Sequence, residues 1–173
     1  MEKKDLKPAG VFKYFEEICQ VPRPSKKEEK MIAYLKAFGA KHNLETKVDE
    51  AGNVLIKKPA TPGKENLQTV VLQSHIDMVC EKNNDVQHDF LTDPIETEID
   101  GEWLKAKGTT LGADNGIGVA TELAILADDS IEHGPLECLF TVDEETGLTG
   151  AFALKEGFMS GDILLNLSLI HIS

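Results

Sequence analysis

The stretch Val70-Val-Leu-Gln-Ser-His-Ile-Asp-Met-Val-Cys80 decides how this sequence is interpreted. Thr69 to Ser74 is largely apolar without clean alternation, a pattern typical of a strand that is buried on both faces of its sheet. His75 and Asp77 follow two residues apart, so in extended backbone their side chains point to the same side. A buried strand that ends in an imidazole and a carboxylate needs partners for both, and a metal ion is the partner that we infer.

The elements around this strand predict an α/β fold. Apolar residues recur at helical spacing from Val11 to Cys19, and Ser25-Lys-Lys-Glu28 has the form of a capping box that opens a second helix. Asp100-Gly101 is a hairpin signal, and Leu136 to Val142 is a second buried strand. The full order is helix, helix, hairpin, strand, hairpin, helix, strand, helix, strand. We therefore expect a mixed, largely parallel sheet with helices on both faces.

Composition limits the classes of function. The chain has 173 residues, enough for one domain, and a formal net charge of −12, which argues against a nucleic-acid groove. Its three cysteines form no CxxC pair, so neither a disulfide framework nor a thiolate zinc site is indicated. The N-terminus lacks the apolar core of a secretory signal, and no apolar stretch has the length of a membrane span. The expected compartment is the cytoplasm.

Two further polar clusters follow predicted elements at positions comparable to His75. Asp114 lies in the glycine-flanked turn Gly112-Ala-Asp-Asn-Gly116, before a helix predicted from about Ile117 to Ala127. Asp143, Glu144 and Glu145 end the strand that begins at Leu136. Ligands of open α/β sheets sit beyond the carboxyl ends of the strands, so the three clusters are expected to meet there.

Each cluster also has an ordinary structural explanation. A histidine at a strand end is often simply hydrogen-bonded, Asp114 or Asn115 could cap the helix that follows, and an acidic triplet is usually a hydrated surface turn. Taken together, one imidazole and several carboxylates without a thiolate fit a two-metal hydrolytic site of the zinc, manganese or cobalt type.

Three motifs carry a resemblance to a known family. They are Ser74-His-Ile-Asp-Met-Val79, Gly108-Thr-Thr-Leu-Gly-Ala-Asp-Asn-Gly-Ile-Gly118 and Thr141-Val-Asp-Glu-Glu-Thr-Gly-Leu-Thr-Gly-Ala151. They resemble the di-zinc metallopeptidases that include the bacterial aminoacyl-histidine dipeptidases, also called Xaa-His or β-alanyl-histidine dipeptidases. The resemblance runs from the first helix to about Leu167.

The resemblance implies a role for each site residue. His75 and Glu145 would each bind one of two divalent ions, most often zinc with manganese or cobalt as alternatives, and Asp114 would bridge the ions. Asp77 would orient His75, and Glu144 would act as the general base that activates water. The implied substrate is an unblocked dipeptide, often with a C-terminal histidine. The implied full-length enzyme is a cytoplasmic homodimer that binds neither nucleic acid nor membranes.

The sequence departs from the family pattern near its end. Ser168 stands where the family has a metal-binding aspartate, and His171 does not lie in the motif of the family's distant histidine ligand. We therefore expect residues 1–167 to be the N-terminal part of the catalytic domain. We expect residues 168–173 to be a non-native tail and the lid and dimerisation domain to be absent. On this interpretation the chain alone shows little or no dipeptidase activity.

Two other functions stay open. The missing ligand at Ser168 would suit a non-catalytic metal-binding or interaction fragment. Within the enzyme class, the same motifs would suit a tripeptidase or an N-acyl amino-acid deacylase.

Overall fold

The computed structural model describes residues 2–168 and has four α-helices and seven strands in that range. The helices are α1 (Ala9–Cys19), α2 (Glu29–Lys41), α3 (Ala113–Ala127) and α4 (Thr149–Ala153). The strands are β1 (Glu45–Val48), β2 (Val54–Lys58), β3 (Val70–His75), β4 (Thr97–Asp100), β5 (Trp103–Ala106), β6 (Leu136–Thr141) and β7 (Ile163–Asn166). The predicted tail overlaps the described range only at Ser168, and residues 169–173, with His171, lie outside it.

Five strands form a mixed sheet in the order β1-β2-β6-β3-β7. The pairs β1–β2 and β2–β6 are antiparallel, whereas β3 runs parallel to both β6 and β7. The prediction of a mixed α/β sheet is confirmed, with half of its strand pairs parallel. The second predicted hairpin, β4–β5, forms a separate two-stranded sheet. The parallel half matters most for the site, because it brings the carboxyl ends of β3, β6 and β7 to one edge.

The two faces of the sheet are covered unequally. Helices α1, α2 and α3 pack on one face, where the core includes the fully buried Phe15, Leu123 and Phe140. On the other face a small cluster of Leu55, Val71 and Leu139 is covered by Leu154, Phe158 and Met159, which follow α4. Long helices therefore lie on one face only in the described part of the chain.

The start of α2 differs from the prediction. The capping box at Ser25-Lys-Lys-Glu28 is wrong, because α2 begins at Glu29 and has no side-chain cap. The hydroxyl of Ser25 donates instead to Asp77, and Oε1 of Glu28 accepts the amide N–H groups of Lys26 and Asp143 at 2.9 Å and 3.0 Å. The motif has the right residues for a cap, but tertiary contacts use both side chains.

Strand β7 is an edge of the sheet within residues 2–168, and Ile163, Leu164 and Leu165 are each about 40–50% exposed. This edge of the sheet is therefore partly apolar. No helix within the described residues is both long and apolar enough to span a membrane.

Glu122 on α3 is a fully buried acid in the core. It faces Ser74 and Cys138, and neither of its carboxyl oxygens has a hydrogen bond of good geometry. Burial raises the pKa of Glu122 well above its ordinary 4.5, although the contacts with Ser74 and Cys138 act in the opposite direction. Above pH 4.5 the unfolded chain therefore binds fewer protons than the folded chain.

The first prediction follows from this buried acid. The free energy of unfolding should fall as the pH rises above 4.5, and Glu122→Gln should remove that part of the fall. Because glutamine is neutral at every pH, the free energy of unfolding of the variant should exceed that of the wild type by more than about 1 kcal/mol near pH 7. Urea unfolding at a series of pH values measures the difference, with the exposed Glu98→Gln as the matched control. Parallel pH profiles for Glu122→Gln and the wild type would contradict the prediction.

Candidate metal centre

The site is built where β3 and β6 end side by side. The two strands are parallel, and the last pair in their register is His75 with Thr141. Glu144 and Glu145 therefore follow β6 just beyond the level of His75. The convergence predicted for these two clusters is present in the structure.

The Nε2 atom of His75 points at carboxylates. It lies 3.2 Å from Oδ1 of Asp114 and 3.8 Å from Oε2 of Glu144. Ligand atoms of His75, Glu144 and Glu145 all lie within 4.8 Å of one another. One imidazole nitrogen and carboxylate oxygens, with no thiolate among them, are the donors that zinc, manganese and cobalt accept. The residues present therefore fit a divalent metal ion.

Asp114 reaches the site from the start of α3, where the helix is interrupted at Asp114 and Asn115. Gly112 has φ +68°, a left-handed conformation that favours glycine, and Asp114 itself has non-helical backbone angles. The alternative of a helix cap is wrong, because α3 has no side-chain cap. Asp114 contacts His75, but it belongs to neither of the two compact groups of potential metal ligands among the described residues.

The carboxylate of Asp77 lies on the other side of His75. Its Oδ1 atom is 3.3 Å from Nδ1 of His75, and the side chain is fully buried. It also accepts the Ser25 hydroxyl at 2.7 Å and the backbone N–H groups of Glu144 and Glu145 at 3.0 Å and 3.1 Å. Asp77 thus joins the end of β3 to the loop after β6.

These contacts set the charge on Asp77. Burial alone would raise the pKa of Asp77, but the contact with His75 and the donors from Glu144, Ser25 and Glu145 outweigh it and lower the pKa to about 2. The carboxylate is therefore ionised at neutral pH.

The histidine and Glu145 respond to the same crowding of acids. Burial acts to lower the pKa of His75, yet Asp77, Glu144 and Asp114 outweigh it, so the pKa is raised. Burial is also the main cause of the raised pKa of Glu145; His75 opposes it, whereas the neighbouring acids reinforce it. A bound cation would relieve the repulsion among these carboxylates.

The three acids that follow β6 have two different surroundings. Asp143 is buried and accepts hydrogen bonds from the hydroxyls of Thr146 and Thr149, whereas Glu144 and Glu145 lie toward His75. Asp143 forms the second compact group of acids with Glu28 and Asp77. Because each of these three acids already has protein donors, the group supports the loops around the site.

Some features of the site were missed by sequence reasoning. The sequence predicts a helix cap for Ser25, whose hydroxyl donates to Asp77, and gives no signal for Arg23, whose guanidinium donates to the backbone carbonyl of Asp77. The position of each contact is tertiary, so no local pattern identifies it. Strand β7 ends at Asn166, which pairs with Gln73, and Ser168 lies two residues beyond that end.

Known proteins resemble this chain in sequence. A sequence model of the peptidase family M20/M25/M40 matches residues 71–173. The cytosol non-specific dipeptidase of Escherichia coli (strain K12) is 51% identical over 165 residues, which cover 95% of this chain and 34% of that protein.

Solved structures give the same picture. The crystal structure of an aminoacylhistidine dipeptidase from Vibrio alginolyticus has a TM-score of 0.93 and 55% identity, covering 96% of this chain and 34% of that one. An aminopeptidase PepT from Bacillus cereus has a TM-score of 0.78 and 26% identity, with 92% and 43% covered. The chain thus spans about a third of the length of the two dipeptidases that it matches.

The second prediction concerns Asp77. Asp77→Asn should lower the free energy of unfolding by about 3 kcal/mol, because an amide NH2 would face backbone N–H donors in a buried place. Since the folded pKa is about 2, the stabilisation by ionised Asp77 is complete above pH 3.8 and is lost as the pH falls toward 2. The variant should lack this acid-side loss, which urea unfolding at several pH values measures. Ser25→Ala, which removes one donor only, should lower the free energy of unfolding by about 1 kcal/mol. Equal losses of stability in Asp77→Asn and Ser25→Ala would refute this role of Asp77.

Proposed function

The chain belongs to the peptidase family M20/M25/M40, and on this premise we propose that it is part of a metal-dependent dipeptidase. Residues 1–167 would be the N-terminal part of the catalytic domain. The observation that carries the proposal is the position of His75 Nε2, 3.2 Å from Asp114 and 3.8 Å from Glu144 at the joint end of two parallel strands. The imidazole thereby faces carboxylates from two other segments of the chain.

Enzymes of this family generally use divalent metal ions. In the proposal two such ions are held here, with zinc as the first choice and manganese or cobalt as alternatives. His75 would bind one ion, Glu145 the other, and Asp114 would bridge them. Bound ions supply Lewis-acid polarisation of the scissile carbonyl and lower the pKa of water.

The residues of the chain would divide the remaining work. Asp77, on Nδ1 of His75, holds the ring so that Nε2 faces the carboxylates. Glu144 would act as the general base: its carboxylate accepts a proton from the attacking water and passes it to the leaving amine. Glu144 is half-buried beside His75, with Oε2 3.8 Å from Nε2 of the imidazole.

The substrate proposed is an unblocked dipeptide. One relative is named for aminoacylhistidine and another for non-specific dipeptide hydrolysis, so dipeptides ending in histidine are the first to test. The whole protein is proposed to be a homodimer of the cytoplasm; one relative is named a cytosol enzyme. The net charge of −12 disfavours nucleic-acid partners, and no membrane partner is proposed.

Two alternatives rest on specific observations. Ser168, two residues after the end of β7, favours a non-catalytic metal-binding fragment, because it stands where the family pattern has an aspartate and serine is a poor replacement for a carboxylate ligand. The likeness to an aminopeptidase supports the enzyme class, within which a tripeptidase and an N-acyl amino-acid deacylase are the other possibilities. A panel of dipeptides, tripeptides and acylated amino acids separates the enzyme alternatives.

The third prediction separates metal binding from hydrolysis. Titration calorimetry with Zn²⁺ should detect binding to the wild-type chain and at least a tenfold loss in His75→Ala and Asp114→Ala, which remove ligands. Glu144→Gln should keep the metal, because its proposed role is proton transfer. Placed in a full-length protein carrying this sequence, Glu144→Gln should abolish hydrolysis of an Xaa-His dipeptide, a loss of at least about a hundredfold.

The outcomes of this experiment are distinct. Unchanged Zn²⁺ affinity in His75→Ala would refute the metal centre. Metal binding without hydrolysis in the full-length wild type would favour the non-catalytic alternative. The 173-residue chain assayed alone serves as a further arm, and robust metal-dependent turnover by it would contradict the expected inactivity.

A further inference from the structure

Arg23 is a buried cation that contacts two segments of the metal centre at once. The residue is 2% exposed and belongs to the segment that connects α1 to α2. Nη1 donates to the carbonyl oxygens of Ile76 and Asp77 at 3.1 Å and 3.2 Å, and Nη2 donates to the carbonyl of Gly112 at 2.6 Å. The guanidinium therefore bonds to the end of β3 and to the turn before α3.

The partners of this cation are unusual. Among residues 2–168, its hydrogen bonds go to backbone carbonyls and none goes to a carboxylate. Burying a charge costs several kcal/mol unless hydrogen bonds compensate it. The planar fork of arginine supplies several fixed donors, which the single ammonium of lysine cannot match.

The carbonyls that Arg23 holds lie next to the proposed ligands. Ile76 and Asp77 directly follow His75, and Gly112 is two residues before Asp114. The carbonyl of Gly112 also accepts the first helical N–H of α3, from Gly116, at 3.1 Å. The position of the guanidinium therefore affects the start of α3 as well as the turn.

The glycines of the turn fit around the same group. A Cβ atom at Gly112 would lie 2.5 Å from Nη2 of Arg23, and one at Gly116 would lie 2.7 Å from it. Such distances are too short for real side chains, so a side chain at either position would displace the guanidinium; at Gly112 the positive φ and the nearby sulfur of Met78 also favour glycine. The glycines of this motif thus make room for an arginine from a distant part of the chain.

We propose that Arg23 is a positioning residue of the metal centre, which sets the distance between His75 and Asp114 by holding the carbonyls of Ile76, Asp77 and Gly112. The proposal rests on the proposed function, because it assigns Arg23 a task only if the site binds metal. Arg23 touches neither substrate nor metal in this scheme. Its effect reaches the ligands through the backbone of the two segments that carry them.

Lys58 provides a matched control at the C-terminal end of α3. It is also buried, and its Nζ donates to the carbonyls of Ile125 and Asp128 at 3.2 Å and 2.9 Å. Both cations thus fasten an end of α3 to a neighbouring segment by side-chain to carbonyl bonds. Only Arg23 does so beside the proposed ligands.

The fourth prediction compares Arg23→Met with Lys58→Met. Both variants should unfold at lower urea concentration, but only Arg23→Met should weaken Zn²⁺ binding in calorimetry, by about 10–100-fold. Lys58→Met should bind Zn²⁺ within about twofold of the wild type. Arg23→Lys keeps the charge but not the planar fork of donors, so its Zn²⁺ affinity should lie between those of Arg23→Met and the wild type. With Co²⁺ as the probe, the visible absorption of the bound ion should change in Arg23→Met and not in Lys58→Met.

Hydrogen exchange without metal provides an independent readout. The amide of Gly116, bonded to the Gly112 carbonyl, should exchange faster in Arg23→Met and Arg23→Lys but not in Lys58→Met. If the methionine variant does not fold, Arg23→Lys carries both measurements.

The possible results separate the two proposals. No Zn²⁺ binding by the wild type would overturn the proposed function, and the role of Arg23 would fall with it. If the wild type binds Zn²⁺ and Arg23→Met binds it equally well, the role of Arg23 is overturned while the metal centre stands. Equal losses of affinity in Arg23→Met and Lys58→Met would mean that both cations act through general stability, which also overturns the role of Arg23.

Discussion

The site depends on the contacts that the ionised carboxylate of Asp77 makes. It is fully buried, and it contacts His75 on its own strand end, the hydroxyl of Ser25 and two backbone N–H groups of the loop after β6. Without it the Ser25 hydroxyl and the two N–H groups would lose this acceptor, and a buried unpaired donor costs about 1–3 kcal/mol. Nδ1 of His75 would keep only the carbonyl oxygen of Asp77, at 3.2 Å. One side chain therefore orients the imidazole and holds Glu144 and Glu145 beside it.

The arrangement of the sheet makes such a contact possible. Because β3 and β6 are parallel neighbours, their ends meet at the same edge, and the segments that follow them can share a carboxylate. The antiparallel strands β1 and β2 extend the sheet on the far side and contribute core residues, among them Val54 and Ile56. The site thus occupies the parallel half, and the antiparallel half supports it.

Buried charge is concentrated around this edge. Asp77, Arg23 and Asp143 are nearly inaccessible, and each is compensated by backbone or hydroxyl groups. Because the partners of Asp77 and Arg23 are distant in sequence, the loops around His75 have few ways to rearrange without exposing an unpaired charge. A site preorganised in this way can hold carboxylates close together, despite their repulsion, until a cation binds. This is the physical basis for placing a metal centre at these strand ends.

Local pattern was sufficient for the strands and the turn that carry His75, Asp114 and the acids after Thr141. The apolar run before His75, the glycines around Asp114 and the acids after Thr141 predicted a strand end, a turn and a second strand end, because hydrophobic periodicity and turn chemistry act over a few residues. Only the tertiary structure decided which donors those side chains meet. Ser25 donates to Asp77 and does not cap a helix. Asp143 is buried and accepts hydrogen bonds from its own loop, whereas Glu144 and Glu145 lie near His75. Arg23 donates to the distant carbonyl of Gly112. These choices depend on contacts between residues far apart in the chain, where the energy of satisfying a buried charge outweighs local preference.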